Sequence, residues 1–93
     1  MGVISNSTLV AFAARYPAAG IPLQVWRHII ESRAFAGFAE LRNTFNTVYR
    51  VGKFYVFDIG GNKCRIVAAI HFDKQRLCVR HVFTHKEYDS WTP

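Results

Sequence analysis

Apolar positions recur with two different periods along this chain. In the first half, Leu9, Phe12, Ala13 and Tyr16 fall at i, i+3, i+4 and i+7, the spacing of one face of an amphipathic helix. Residues 5–7 offer hydroxyl and amide side chains to cap its start. Pro17 and Gly20 end it. Pro22 stands where a first helical turn tolerates proline, and Leu23, Trp26, Ile29 and Ile30 carry the 3.6 period on to about Arg33. A third, short helix is expected after Gly37, with Phe38, Leu41 and Phe45 as its buried stripe.

The second half changes period. Residues 48–57, 64–72 and 77–83 are rich in β-branched and aromatic types, as strands require. The first two runs are separated by Asp58-Ile59-Gly60-Gly61-Asn62, the last two by Asp73-Lys74-Gln75-Arg76. Gly60 and Gly61 read as a hairpin turn needing positive φ rather than a phosphate cradle, because no helix follows them. The economical arrangement is α+β: N-terminal helices packed on one face of an antiparallel sheet. Residues 1–93 make one domain, without repeats or linkers.

Side-chain alternation then assigns faces. A tight turn at 73–76 sets Ala69 opposite Arg80, Val67 opposite Val82, and Arg65 opposite Thr84. One face becomes Ile66, Ala68, Ile70, Phe72, Leu77, Val79, His81 and Phe83. The other carries Arg65, His71, Cys78, Arg80 and Thr84. Cys64 and Cys78 fall on opposite faces, which argues against a disulfide between them.

Composition narrows the possibilities. Hydrophobic residues are 51% of the chain, enough for a small core and far from a disordered composition. Twelve Lys+Arg against six Asp+Glu leave a net charge of +6, a field that favours polyanions such as nucleic acid or an acidic partner. No apolar run approaches the roughly 20 residues of a membrane span. Met1-Gly2-Val3-Ile4 has neither the basic start nor the apolar run of a signal peptide, and Asn6 breaks the myristoylation-like string. Cys64 and Cys78 lack the spacing of a metal site. These features read as a cytoplasmic, metal-free protein without a cofactor.

Two segments go further. Phe57-Asp58-Ile59-Gly60-Gly61-Asn62-Lys63-Cys64-Arg65 resembles the Gly-Gly-Asn-x-x-Arg segment of HigB-type toxins. Arg80-His81-Val82-Phe83-Thr84-His85-Lys86-Glu87-Tyr88-Asp89 resembles that family's closing Arg-x-Val-x-Thr-His-x-Glu-Tyr-Asp. The resemblance covers roughly the last forty residues. It implies a RelE/ParE-like fold with a short C-terminal helical turn. It also implies the toxin of a type II toxin–antitoxin pair, an endoribonuclease cleaving mRNA in the A site of the translating 70S ribosome. The implied partner is a helix-turn-helix, HigA-like antitoxin, through which the complex binds operator DNA.

Metal-free RNA cleavage uses the neighbouring 2′-hydroxyl as nucleophile. It needs a proton acceptor, cations for the phosphorane, and an acid for the departing 5′-oxygen. Arg65 and Arg80 suit the charge clamp, since guanidinium binds phosphate oxygens through paired donors. His85 can serve as base or acid, and a lysine crowded by arginines is the competing base. Tyr88 can stack on a base, orient the 2′-hydroxyl or donate a proton. Lys53, Lys63 and Lys86 can add positive potential along the substrate. Against these stand structural readings. Thr84-His85-Lys86-Glu87 is a capping box, His71 a half-exposed strand residue, His81 a packing residue, and His28 a solvent-facing helix residue. Two other functions fit a basic domain of this class: a ParE-like gyrase inhibitor without nuclease chemistry, and a non-catalytic RNA-binding module.

Overall fold

The computed structural model describes residues 1–61 and 63–93. Asn62, the third residue of the Gly-Gly-Asn segment, lies outside the described residues.

The helices follow the apolar periodicity. α1 spans Asn6–Arg15 and buries Leu9 and Phe12, while Tyr16, just past its end, stays exposed and packs its ring 4.7 Å from that of Phe12. A 3-10 turn at Pro17–Ala19 leads into α2, Gly20–Glu31, which buries Leu23, Trp26 and Ile30. α3, Phe38–Thr44, buries Leu41. The expected cap of α1 is absent: Ser5 sits in the left-handed region at φ 77° with no side-chain capping bond. The Asn6 side chain instead accepts a hydrogen bond from Gln24 of α2.

Among the described residues the strands form one five-stranded sheet in the order β1-β5-β4-β3-β2, built from Gly2–Ile4, Arg76–Phe83, Cys64–His71, Phe54–Ile59 and Tyr49–Val51. Two features depart from the expected meander. The run at 48–57 is a hairpin, because Gly52 turns at φ 59° and splits it into β2 and β3. Residues 2–4 add a strand parallel to β5, too short to show any period, so the sheet is mixed. Both edge strands are three residues long, which limits the unpaired edge open to other chains.

The register of β4 and β5 also differs from the expected one. The chain turns at residues 72–75, where Gln75 takes φ 51° and its side-chain amide donates to the carbonyls of Phe35 and Phe72 at 2.7 Å. His71 therefore faces Arg76, Ala69 faces Cys78, and Ala68 faces Val79. Next comes a bulge, with Arg80 as its extra residue. Beyond it Val67 faces His81, Ile66 faces Val82, and Arg65 faces Phe83. A bulge exchanges the faces of everything that follows on its strand. Val82 thus joins the core, while His81 and Phe83 move to the far side, where His81 is exposed rather than packed inside. Thr84 leaves the strand altogether to start α4, His85–Asp89. Cys64 and Cys78 do lie on opposite faces, and both are free thiols.

The core lies between α1–α3 and the near face of the sheet. Phe57 anchors it, its ring 5.2 Å from Trp26 and 5.4 Å from Phe45, both edge-on. No polar or charged side chain is buried among the described residues. The groups with chemistry to offer are therefore carried by the opposite face and its borders.

Candidate active site

Strand alternation places Tyr49, Val56, Val67 and His81 across one row of the far face, and Asp58, Arg65 and Phe83 across the next. Val56 and Val67 are fully buried although no helix of the first half covers them. Their cover is the C-terminal segment. Trp91 packs its ring 5.8 Å from Phe54, 5.9 Å from His81, 6.0 Å from Phe83 and 5.8 Å from Tyr88. This second, smaller apolar cluster holds α4 against the sheet.

The start of α4 is fixed by local chemistry. Thr84 Oγ1 accepts from the Glu87 amide at 3.1 Å, and the Glu87 carboxylate accepts from the Thr84 amide at 2.9 Å. The expected capping box is present, and the Thr84 amide bond holds the Glu87 carboxyl below its ordinary range. Both side chains are thereby engaged in starting the helix. His85 and Tyr88, three residues apart, then project from one face of α4.

Arg65 is where they meet. Its Nη2 lies 3.1 Å from His85 Nδ1, its guanidinium carbon 5.0 Å from the centre of the Tyr88 ring, and its Nη1 donates to Tyr49 Oη at 3.3 Å. Tyr49 Oη in turn donates to Tyr88 Oη at 2.7 Å. Across from Arg65 in the ladder stands Asp58, an opposite charge on the same face. On the solvent side, His85 Nε2 lies 3.7 Å from Asp89 Oδ2. The Tyr88 phenol is pushed up to about 12, chiefly by burial and then by its bond with Tyr49; the Arg65 charge opposes the shift. At neutral pH this phenol is a proton donor and not a base.

Arg80 stands elsewhere on the same face. With Lys53, Phe54, Ala69, Ile70, His71 and His81 it lines a groove of about 460 Å³ beside the Trp91 cluster. The ammonium of Lys53 lies 5.5 Å from the Phe54 ring centre. Lys63 folds over Gly60, which turns at φ 61° together with Gly61, as the hairpin reading expects. Lys86 is exposed on α4. A wider trough of about 730 Å³ opens between α1 and α2, but His28 is the sole titratable group among its described lining residues.

Of the residues singled out from sequence, Arg65, His85 and Tyr88 converge, while Arg80 and Lys53 form a neighbouring basic groove. The sequence alone does not assign roles to Tyr49, Asp89 or Trp91. Only the Gly52 hairpin, which folds β2 back along β3, turns Tyr49 toward Arg65. Asp89 lies four residues after His85, a helical spacing visible once α4 was suspected.

Residues 19–91 match the family model described as HigB_toxin, RelE-like toxic component of a toxin-antitoxin system. An mRNA interferase HigB of Escherichia coli O6:H1 is 35% identical over 96 residues, covering 99% of this chain and 92% of the relative. The mRNA interferase toxin HigB of Escherichia coli K12 is 34% identical over 95 residues, at 99% and 91%. The mRNA interferase HigB of Shigella flexneri is similar to the same degree and extent.

Proposed function

Because this chain belongs to the HigB toxin family, the RelE-like toxic components of toxin–antitoxin systems, we propose that it is a metal-independent endoribonuclease that cuts mRNA on translating ribosomes. On this reading residues 1–93 form a single toxin domain, acting in the cytoplasm and restrained by a helix-turn-helix antitoxin whose complex binds operator DNA. The observation that carries the enzymatic reading is the convergence of His85 and Tyr88 on Arg65.

The 2′-oxygen of the nucleotide before the cut attacks phosphorus, the bond from phosphorus to the 5′-oxygen breaks, and the proton of the 2′-hydroxyl leaves to a base. The products are a 2′,3′-cyclic phosphate and a 5′-hydroxyl. Arg65 holds charge on the phosphorane through its paired donors, and Arg80 adds charge from the adjoining groove. A nearby lysine takes the 2′-hydroxyl proton, or His85 does so through Nδ1 once the substrate phosphate has drawn Arg65 away from it. Tyr88, kept neutral by its surroundings, gives its proton to the departing 5′-oxygen, which leaves as the 5′-hydroxyl. Lys53, Lys63 and Lys86 attract and align the strand.

The test is translation of a defined mRNA in a purified system, with 5′ ends mapped by primer extension. The reading expects codon-associated cuts that disappear with Arg65→Ala. Absence of cuts with loss of DNA supercoiling activity would replace it by a gyrase-directed toxin. Binding to RNA without any cuts would reduce the protein to a basic binding module.

A further inference from the structure

Tyr49 lies on the edge hairpin, away from both sequence segments that resemble the family, yet its hydroxyl joins Arg65 to Tyr88. A tyrosine hydroxyl has one proton and two lone pairs. Here one lone pair receives the Arg65 Nη1 proton at 3.3 Å, and the hydroxyl's own proton goes to Tyr88 Oη at 2.7 Å. Guanidinium can only donate, and the Tyr49 hydroxyl donates onward to Tyr88, so the chain runs from Arg65 through Tyr49 to Tyr88. A donor that is itself a hydrogen-bond acceptor is polarised and donates more strongly. With its oxygen already accepting from Tyr49, Tyr88 is left with its own proton to direct outward.

From this geometry we infer that Tyr49 is a positioning residue, which orients the Tyr88 hydroxyl so that its proton points at the substrate and steadies the Arg65 guanidinium beneath the Tyr88 ring. The inference rests on the endoribonuclease reading for its catalytic consequence, but the relay itself can be tested without activity. Burial of the two hydroxyls differs in kind from core packing. Both residues are half-buried at the border of the C-terminal aromatic cluster, so removing one oxygen leaves the rings and their contacts in place.

Tyr49→Phe removes the hydroxyl and keeps the ring. Four full-length proteins are compared: wild type, Tyr49→Phe, Tyr88→Phe and the double variant. The expected result for Tyr49→Phe is a cleavage rate constant on programmed ribosomes lower by about tenfold, the loss of one well-placed hydrogen bond. The concentration for half-maximal rate should stay within about twofold, because the relay acts on the reacting atoms and not on strand capture. Adding Tyr49→Phe to Tyr88→Phe should cost much less than it does alone. Independently of cleavage, the ring-carbon NMR signal of Tyr88 should titrate at a different pH in Tyr49→Phe, since the direct bond between the two hydroxyls couples their protons. An unchanged Tyr88 titration and an unchanged rate overturn the inference. So does a full tenfold loss in the Tyr88→Phe background. If wild type itself does not cleave, the endoribonuclease reading falls, and the Tyr88 titration still decides whether the relay exists.

Discussion

Arg65 Nη2 lies 3.1 Å from His85 Nδ1, and that contact assigns the proton of a neutral imidazole. Guanidinium has no acceptor, so Nδ1 receives the bond and the ring proton sits on Nε2, the atom 3.7 Å from Asp89 Oδ2. Arg65→Lys keeps the charge but loses the fork that reaches both His85 and Tyr49. We expect cleavage to fall about 100-fold in that variant, as when an aligned transition-state donor is removed. Nitrogen-15 spectra of His85 should change from one tautomer to a mixture. A wild-type tautomer with full activity in Arg65→Lys would contradict the assignment.

Tyr88 sets a pH limit on stability. Its folded value, about 12, lies above the ordinary 10, so the folded chain holds this proton more tightly than the unfolded one. The stabilising contribution is complete below pH 10 and is lost as pH rises toward 12. Thermal midpoints measured from pH 8 to 12 should decline over that interval in wild type and decline less in Tyr88→Phe.

The capping box makes the opposite prediction at low pH. Glu87 titrates below its ordinary 4.5 because its carboxylate accepts from the Thr84 amide. Its contribution is present above pH 4.5 and disappears as pH falls through the lowered value. Glu87→Gln should flatten that acid-side loss in denaturant titrations. Thr84→Ala should cost about 1 kcal/mol at neutral pH, the usual worth of an N-cap. It should also lower cleavage, because His85 and Tyr88 ride on the helix that the box begins.

Arg80 and Lys53 share a groove and not a contact with His85, so their loss should appear in strand capture. For Arg80→Ala, the slope of log affinity against log salt, measured with a non-cleavable RNA, should shrink by about 1. Lys53→Ala should act similarly, and the effect should be nearly independent of RNA sequence. An unchanged salt slope would remove both residues from the substrate path.

Much of this architecture was visible in the sequence for identifiable reasons. α1, α2 and α3 announced themselves because each buries a stripe at helical spacing. Thr84 and Glu87 placed α4, since a capping box is local chemistry needing no tertiary information. The missed parts depend on contacts distant in sequence. β1 is three residues long and exists because β5 offers it an edge. The turn at 72–75 is selected by Gln75 bonding to Phe35, forty residues away. The bulge leaves no mark in the alternation of residues 77–83, which by itself sets Arg80 beside Arg65 and His81 inside. Tyr49 became significant only when Gly52 folded β2 back along β3.

The bulge also says something about chain length. Val79 pairs with Ala68 and His81 with Val67, so the ladder on either side of Arg80 is continuous without it. Excising Arg80 would heal the pairing and leave every neighbouring side chain on its present side. An insertion or deletion elsewhere in β5 would turn the remainder of the strand inside out, burying His81 and presenting Val82 to water. Position 80 is therefore a place where this strand can change length without changing fold. What it contributes is a side chain, held clear of the ladder.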